Sequence, residues 1–179
     1  MKTPSQLNKL AKKIHAQNKN WWVDLKTGEP LRRNEGELLM LVITELAEAV
    51  QGMRKDLMDD HLTHRKMEEV EMADAMIRLM DFVGGFKIKL KHHPALPKTI
   101  FSRANKSHQI LDICDSICMG AGAFSSKAHH LTIACNQIEY YCKVHKLDLW
   151  GAVKEKLACN KKRADHKLAN RRKAGGKKF

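Results

Sequence analysis

The chain is predicted to be all-α, an antiparallel bundle of about six helices. Apolar residues recur at three- and four-residue spacing over most of its 179 residues, and no stretch alternates apolar and polar residues as a half-buried strand would. The punctuation agrees: Gly84-Gly85, Gly120 and Gly122, and a segment holding Pro94 and Pro97 cut the pattern into helix-sized lengths. At 43% hydrophobic content, residues 1–165 suffice for one domain with one core, and 166–179 read as a basic, flexible tail.

Each element has a local reason. Ser5, after Pro4, is placed to cap a first helix reaching about Asn18, with Leu7, Leu10, Ala11 and Ile14 as its apolar stripe. Residues 21–33 contain the turn signal Thr27-Gly28-Glu29-Pro30 and read as an ordered loop carrying Trp21 and Trp22. Asn34 caps the second helix, with Glu37 as capping-box partner; Leu38, Leu41, Val42, Leu46, Ala49, Val50 and Met53 carry it to about Lys55. A polar connection over 56–63 leads into a third helix, about His64 to Val83, buried through Met67, Val70, Met76, Ile77 and Met80 and stopped by the glycine pair. Residues 87–98 are too proline-rich for a continuous helix. Helices follow over about 102–119 and 126–145. A sixth begins after Asp148, its N-cap, and runs through Lys156, Asn160 and Arg163.

Composition bounds the partners. Net charge is +13, and residues 153–179 concentrate it, with eleven Lys/Arg against Glu155 and Asp165. That asymmetry points to a polyanion, either nucleic acid or the phosphates of a nucleotide. The five cysteines, Cys114, Cys118, Cys135, Cys142 and Cys159, sit in apolar helical patterns rather than in a disulfide framework, which suits a reducing cytoplasm. No apolar run approaches the roughly 20 residues that span a bilayer, so no membrane partner is expected, and the Lys-rich start has no signal-peptide h-region. The pairs His92-His93 and His129-His130 lack the spacing of a zinc site.

Two acidic pairs, Glu45-Leu-Ala-Glu48 and Glu71-Met-Ala-Asp74, lie 22 residues apart in otherwise apolar stretches. Residues three apart share a helix face with Cβ atoms roughly 5–6 Å apart. On consecutive helices with a short connection, four carboxylates would aim at one point, where their repulsion is costly without a cation; the alternative is that each is a solvated helix residue. Oxygen-only ligands favour Mg²⁺ or Mn²⁺, and Mg²⁺ shares itself with substrate phosphates. Lys156, Asn160 and Arg163, at i, i+4 and i+7, present one face suited to phosphate oxygens. Trp21 and Trp22 have two readings: a stacking surface for a base, worth roughly 1–3 kcal/mol, or packing of their own loop. Asp59 and Asp60, in the connection, are in reach of an extra ligand role but read as solvated or turn-forming and are left out of the ligand set.

E-x-x-E, a gap and E-x-x-D over residues 35–83, with Leu147-Asp148-Leu149 and the Lys156/Asn160/Arg163 face downstream, resemble the all-α nucleoside triphosphate pyrophosphohydrolases. This is the MazG-like superfamily, which includes dimeric dUTPases and dCTPases. The resemblance implies a four-helix core, a homo-oligomer (dimer or tetramer), and Mg²⁺-dependent cleavage of a nucleoside triphosphate to monophosphate and pyrophosphate in a nucleotide-pool or house-cleaning role. It implies Glu45, Glu48, Glu71 and Asp74 as metal ligands, Glu48 as first choice of general base, and Lys156, Asn160 and Arg163 as catalytic phosphate-binding residues. Trp21 and Trp22 would be the base-stacking candidates. There are departures. Roughly 60 residues separate the E-x-x-D helix from the last helix where typical members have almost none, so 84–125 reads as an inserted helical segment. Asn34 does not align with the asparagine that often precedes the first acidic motif. The competing expectations are a non-enzymatic nucleic-acid-binding helical protein that uses the basic tail, and a MazG-like fold serving as an interaction module.

Overall fold

The computed structural model describes residues 1–91, 105–122 and 126–177. Among these the secondary structure is helical, with isolated bridges at Val23–Pro30 and Met58–Lys66 but no strand. The elements are α1 (Pro4–Asn18), a 3₁₀ turn (Lys19–Trp22), α2 (Glu35–Lys55), α3 (Met67–Gly85), α4 (Lys106–Ala121), α5 (Lys127–Val144), α6 (Leu149–Lys162), a second 3₁₀ turn (Ala164–His166) and the short α7 (Leu168–Arg171). The expected Pro94/Pro97 loop and His92-His93 lie outside the described residues. Among the described residues no helix is long and apolar enough to cross a membrane.

The helix starts follow side-chain chemistry. Thr3, not Ser5, caps α1: its hydroxyl accepts from Gln6 N while Gln6 Oε1 accepts from Thr3 N, and Pro4 sits where a missing N–H costs nothing. Asn34 caps α2 through Glu37 N, as its sequence position predicts. Asn105 and Asp148 cap α4 and α6 in the same way. α3 begins three residues later than expected, because His64 and Arg65 belong to the connection, where Asp59 N donates to Arg65 O.

α3 is the central element. Its apolar residues from Val70 to Val83 are buried on nearly every side, the pattern of a helix enclosed by others. α2 packs against it antiparallel, since Gly52 meets Met67 at one end while Glu45 meets Arg78 toward the other. α1 also runs antiparallel to α3, with His15 on Asp81 and Asn8 on Leu90. Their backbones nearly touch at Gly84, where a Cβ would lie 2.5 Å from Ala11 O. α6 covers another side of α3, bonded at Asp148–Glu69 and again at Lys156–Asp74.

The helix of the segment read as an insertion, α4, is integral to this assembly. Ile110, Ile113 and Ile117 enter the same core as Leu46, Met76 and Ile138, and α4 packs on α5 and α2. At roughly 1.5–3 kcal/mol for each fully buried aliphatic side chain, these three residues bind α4 to the core.

Candidate functional site

α2, α3 and α6 each present one face to a single cleft of about 460 Å³. Leu38, Leu41, Glu45 and Glu48 come from α2; Met67, Glu71, Asp74, Arg78 and Asp81 from α3; Lys156 and Asn160 from α6, with Arg163 just past its end. The intervals of three and four are those of one helix face. On α2 the core is packed by Leu39, Val42, Leu46 and Ala49, so the apolar stripe is rotated from the expected one, and Leu38 and Leu41 face the cleft.

Three of the four expected metal ligands converge. Glu45, Glu71 and Asp74 bring one carboxylate oxygen each to within 4.8 Å of one another, with Glu45 and Glu71 each 6% exposed. Glu48 lines the same cleft but is exposed and outside this mutually close set. Burial pushes the Glu71 carboxyl up to about 9, helped by a hydrogen bond with Glu45 and the charges of Asp74 and Glu45. Burial pushes Asp74 up to about 6 against the pull of Lys156. Glu48 is raised by desolvation and then by the charge of Glu45. A group of carboxylates so placed could hold a metal ion.

The existing cations compensate only part of this charge. Lys156 Nζ, at the end of a side chain 4% exposed, lies 2.8 Å from Asp74 and 3.7 Å from Asp59. Burial alone would lower its pKa, but Asp74, Asp59 and Glu71 hold it above the ordinary value. Arg78 Nε donates to Glu45. Asn160 Oδ1 is buried with no hydrogen-bond partner among the described residues. Arg163 is turned to Asp165, donating from Nε at 3.0 Å and Nη2 at 2.7 Å.

Both tryptophans line the cleft, already engaged. Trp22 packs edge-on against His15 and Phe86, and its Nε1 donates to Asp81 Oδ1 at 3.2 Å. Asp81 also accepts from Asn18 and bonds His15, so it is a structural anchor of the wall. Trp21 carries the Arg171 guanidinium 3.7 Å above its ring and His166 against its edge.

Among the other cleft residues, Asp59 reads from the sequence as a loop aspartate, and Arg78 and Arg33 carry no sequence assignment. Asp59 is turn-forming as expected, its Oδ1 accepting from His61 N and Leu62 N, but it is buried and its other oxygen faces Lys156. Arg78 follows Glu71 and Asp74 at i+7 and i+4, so its place on the acidic face was available from spacing alone. Arg33, buried, donates from Nη1 to Trp21 O at 2.6 Å, which no local pattern signals.

Comparison with protein-family models, curated proteins and solved structures finds no match for this chain. The donor chemistry is therefore the guide. Three crowded carboxylates in a polar cleft, with a lysine and an amide beside them, suit a hard divalent cation and a phosphate-bearing ligand.

Proposed function

We propose that the cleft binds a nucleoside triphosphate with Mg²⁺ or Mn²⁺ and hydrolyses it to the monophosphate and pyrophosphate. The observation that carries this proposal is the Glu45/Glu71/Asp74 cluster sharing one cleft with Lys156 and Asn160. A protein that only gripped phosphate would gain nothing from buried, mutually repelling carboxylates. A divalent ion held by Glu45, Glu71 and Asp74 would neutralise the triphosphate and acidify a bound water.

The remaining roles follow from position. Glu48, one turn from Glu45 and outside the close set, is the carboxylate left to accept a proton from the attacking water. Lys156 and Asn160 donate to phosphate oxygens, and Arg163 joins them by exchanging Asp165 for phosphate. The antiparallel register of α2 and α3 sets Leu38 and Leu41 beside Ile77 and Asp81, at the Trp22 end of the cleft. That apolar end is assigned to the base and sugar, with Trp22 as a wall. Assembly into a dimer or tetramer belongs to the same proposal.

Incubating the pure protein with a panel of ribo- and deoxyribonucleoside triphosphates, with and without Mg²⁺, tests it. Pyrophosphate is expected from at least one member, only with the cation; none from any member rejects the proposal. The non-enzymatic alternative rests on the basic tail, but Arg163, Arg171, Arg172 and Lys177 are engaged within the chain.

A further inference from the structure

The described C-terminal residues pack back onto the turn and loop that follow α1. Arg171 is 2% exposed despite its charge, and its guanidinium lies on Trp21 while Nη1 donates to Asn20 O at 2.6 Å. Arg172 Nε donates to Leu25 O at 2.5 Å. Two residues of the tail thereby clasp the loop that forms one wall of the cleft. A cation over an indole face and a buried charge-assisted hydrogen bond make this a specific seat.

Beyond that seat the chain reverses. Gly175 has φ +74°, in the left-handed region, and a Cβ on Gly176 would lie 2.4 Å from Arg171 O, so the turn needs both glycines. The reversal lets Arg171 Nε donate to Lys177 O at 3.2 Å and returns Lys177 to the cleft. There Lys177 Nζ lies 3.0 Å from Asp165, the carboxylate that also holds Arg163. Lys177 is half-exposed, and its charge reaches Glu48. Two cations thus share one carboxylate at the edge of a cleft that also holds Lys156 and Asn160.

We propose that the C-terminal arm completes the chain's own phosphate site, with Arg171, stacked on Trp21, as its anchor and Lys177 as a phosphate-binding cation. The proposal rests on the triphosphate-binding reading of the cleft and adds to it the residues that set affinity for the polyphosphate. Asp165 is the resting partner of Arg163 and Lys177, and an entering phosphate takes its place. Arg171 is a positioning residue, because it acts through the seat of Lys177 and not by contact with the ligand.

Calorimetric titration of the full chain with inorganic tripolyphosphate in Mg²⁺ tests this. Lys177→Ala is expected to weaken binding about tenfold, the scale of one charge-assisted contact, and Lys177→Arg to retain most of it. Arg171→Ala should give a similar loss, and the double variant no more than either alone, because both remove the same contact. Lys173→Ala, an exposed tail lysine outside the cleft lining, should stay within twofold. The proposal is overturned if Lys177→Ala stays within twofold of the unaltered chain, if Lys173→Ala matches its loss, if the single losses multiply in the double variant, or if tripolyphosphate does not bind at all. Lys177-dependent binding without hydrolysis of any nucleotide rejects the enzymatic proposal and leaves the arm's role standing.

Discussion

Replacing Glu71 by Gln separates the proton from the cation at the cleft. Glu71 is 6% exposed, and burial with the neighbouring carboxylates pushes it up to about 9, so at pH 7 in chelator it is a neutral acid. Gln has nearly the same shape and keeps a donor toward Glu45. Glu71→Gln is therefore expected to change stability in chelator at pH 7 by less than about 1 kcal/mol. Glu71→Ala leaves a buried gap and costs about 2 kcal/mol or more. In the unfolded chain this carboxyl titrates near its ordinary value of about 4.3, so between there and about 9 the folded state binds the extra proton. Stability from this group is complete below the unfolded value and is lost as pH rises through the folded one, by up to about 1.4 kcal/mol per unit. From pH 6 to 8 the loss is about 2.7 kcal/mol, or roughly 5–11 °C in Tm for a domain of this size. A divalent cation replaces the proton, so Mg²⁺ at a hundred times its Kd restores about 2.7 kcal/mol, and more fully at pH 8 than at pH 6. Thermal melts in EDTA and in MgCl₂ at pH 6, 7 and 8 read all of this. A flat Tm for the unaltered chain in EDTA would refute the reasoning, as would a Glu71→Gln chain that keeps the pH slope or the Mg²⁺ response.

Asp74→Ala strips Lys156 of its 2.8 Å partner and leaves Asp59 at 3.7 Å, so a loss of about 3 kcal/mol is expected in denaturant unfolding, with Asp74→Asn milder and both losing the Mg²⁺ response. An Asp74→Ala chain as stable as the unaltered one would show that Lys156 does not depend on this pair. Gly84→Ala sets a Cβ 2.5 Å from the Ala11 carbonyl oxygen, a backbone atom that cannot swing aside, and should cost about 1–3 kcal/mol. An unchanged melting curve would mean that α1 shifts freely on α3.

The fold was legible because its information is local. Asn34 caps α2 and Asp148 caps α6 where their side chains predict, and the Gly84-Gly85 stop falls at the end of α3. The error at α1 has a local cause too: Thr3 and Ser5 are both cap residues around Pro4, and the reciprocal bond with Gln6 selects Thr3. The start of α3 was misplaced because Arg65 is drawn into contacts remote in sequence, with Glu155 and Asp148. The tail reads as flexible from a basic, glycine-containing composition, which carries no sign of the contacts that its described residues make. Its seat depends on Trp21, Asn20 and Leu25, about 150 residues away, which no window of sequence can pair with Arg171 and Arg172.

By itself the sequence determined the helices, most of the residues they bury, and the spacing that puts Glu45, Glu71 and Asp74 within reach of one another once α2 and α3 lie antiparallel. Periodicity and capping act over a few residues and survive without knowledge of neighbours. Tertiary structure alone decided that Glu48 stands outside the close carboxylate set, that Asp59 faces the cleft, that Trp21 is covered by Arg171, and that Lys177 returns to the cleft edge. Those outcomes depend on burial and on charge pairs between distant segments, which exist only after the helices have packed.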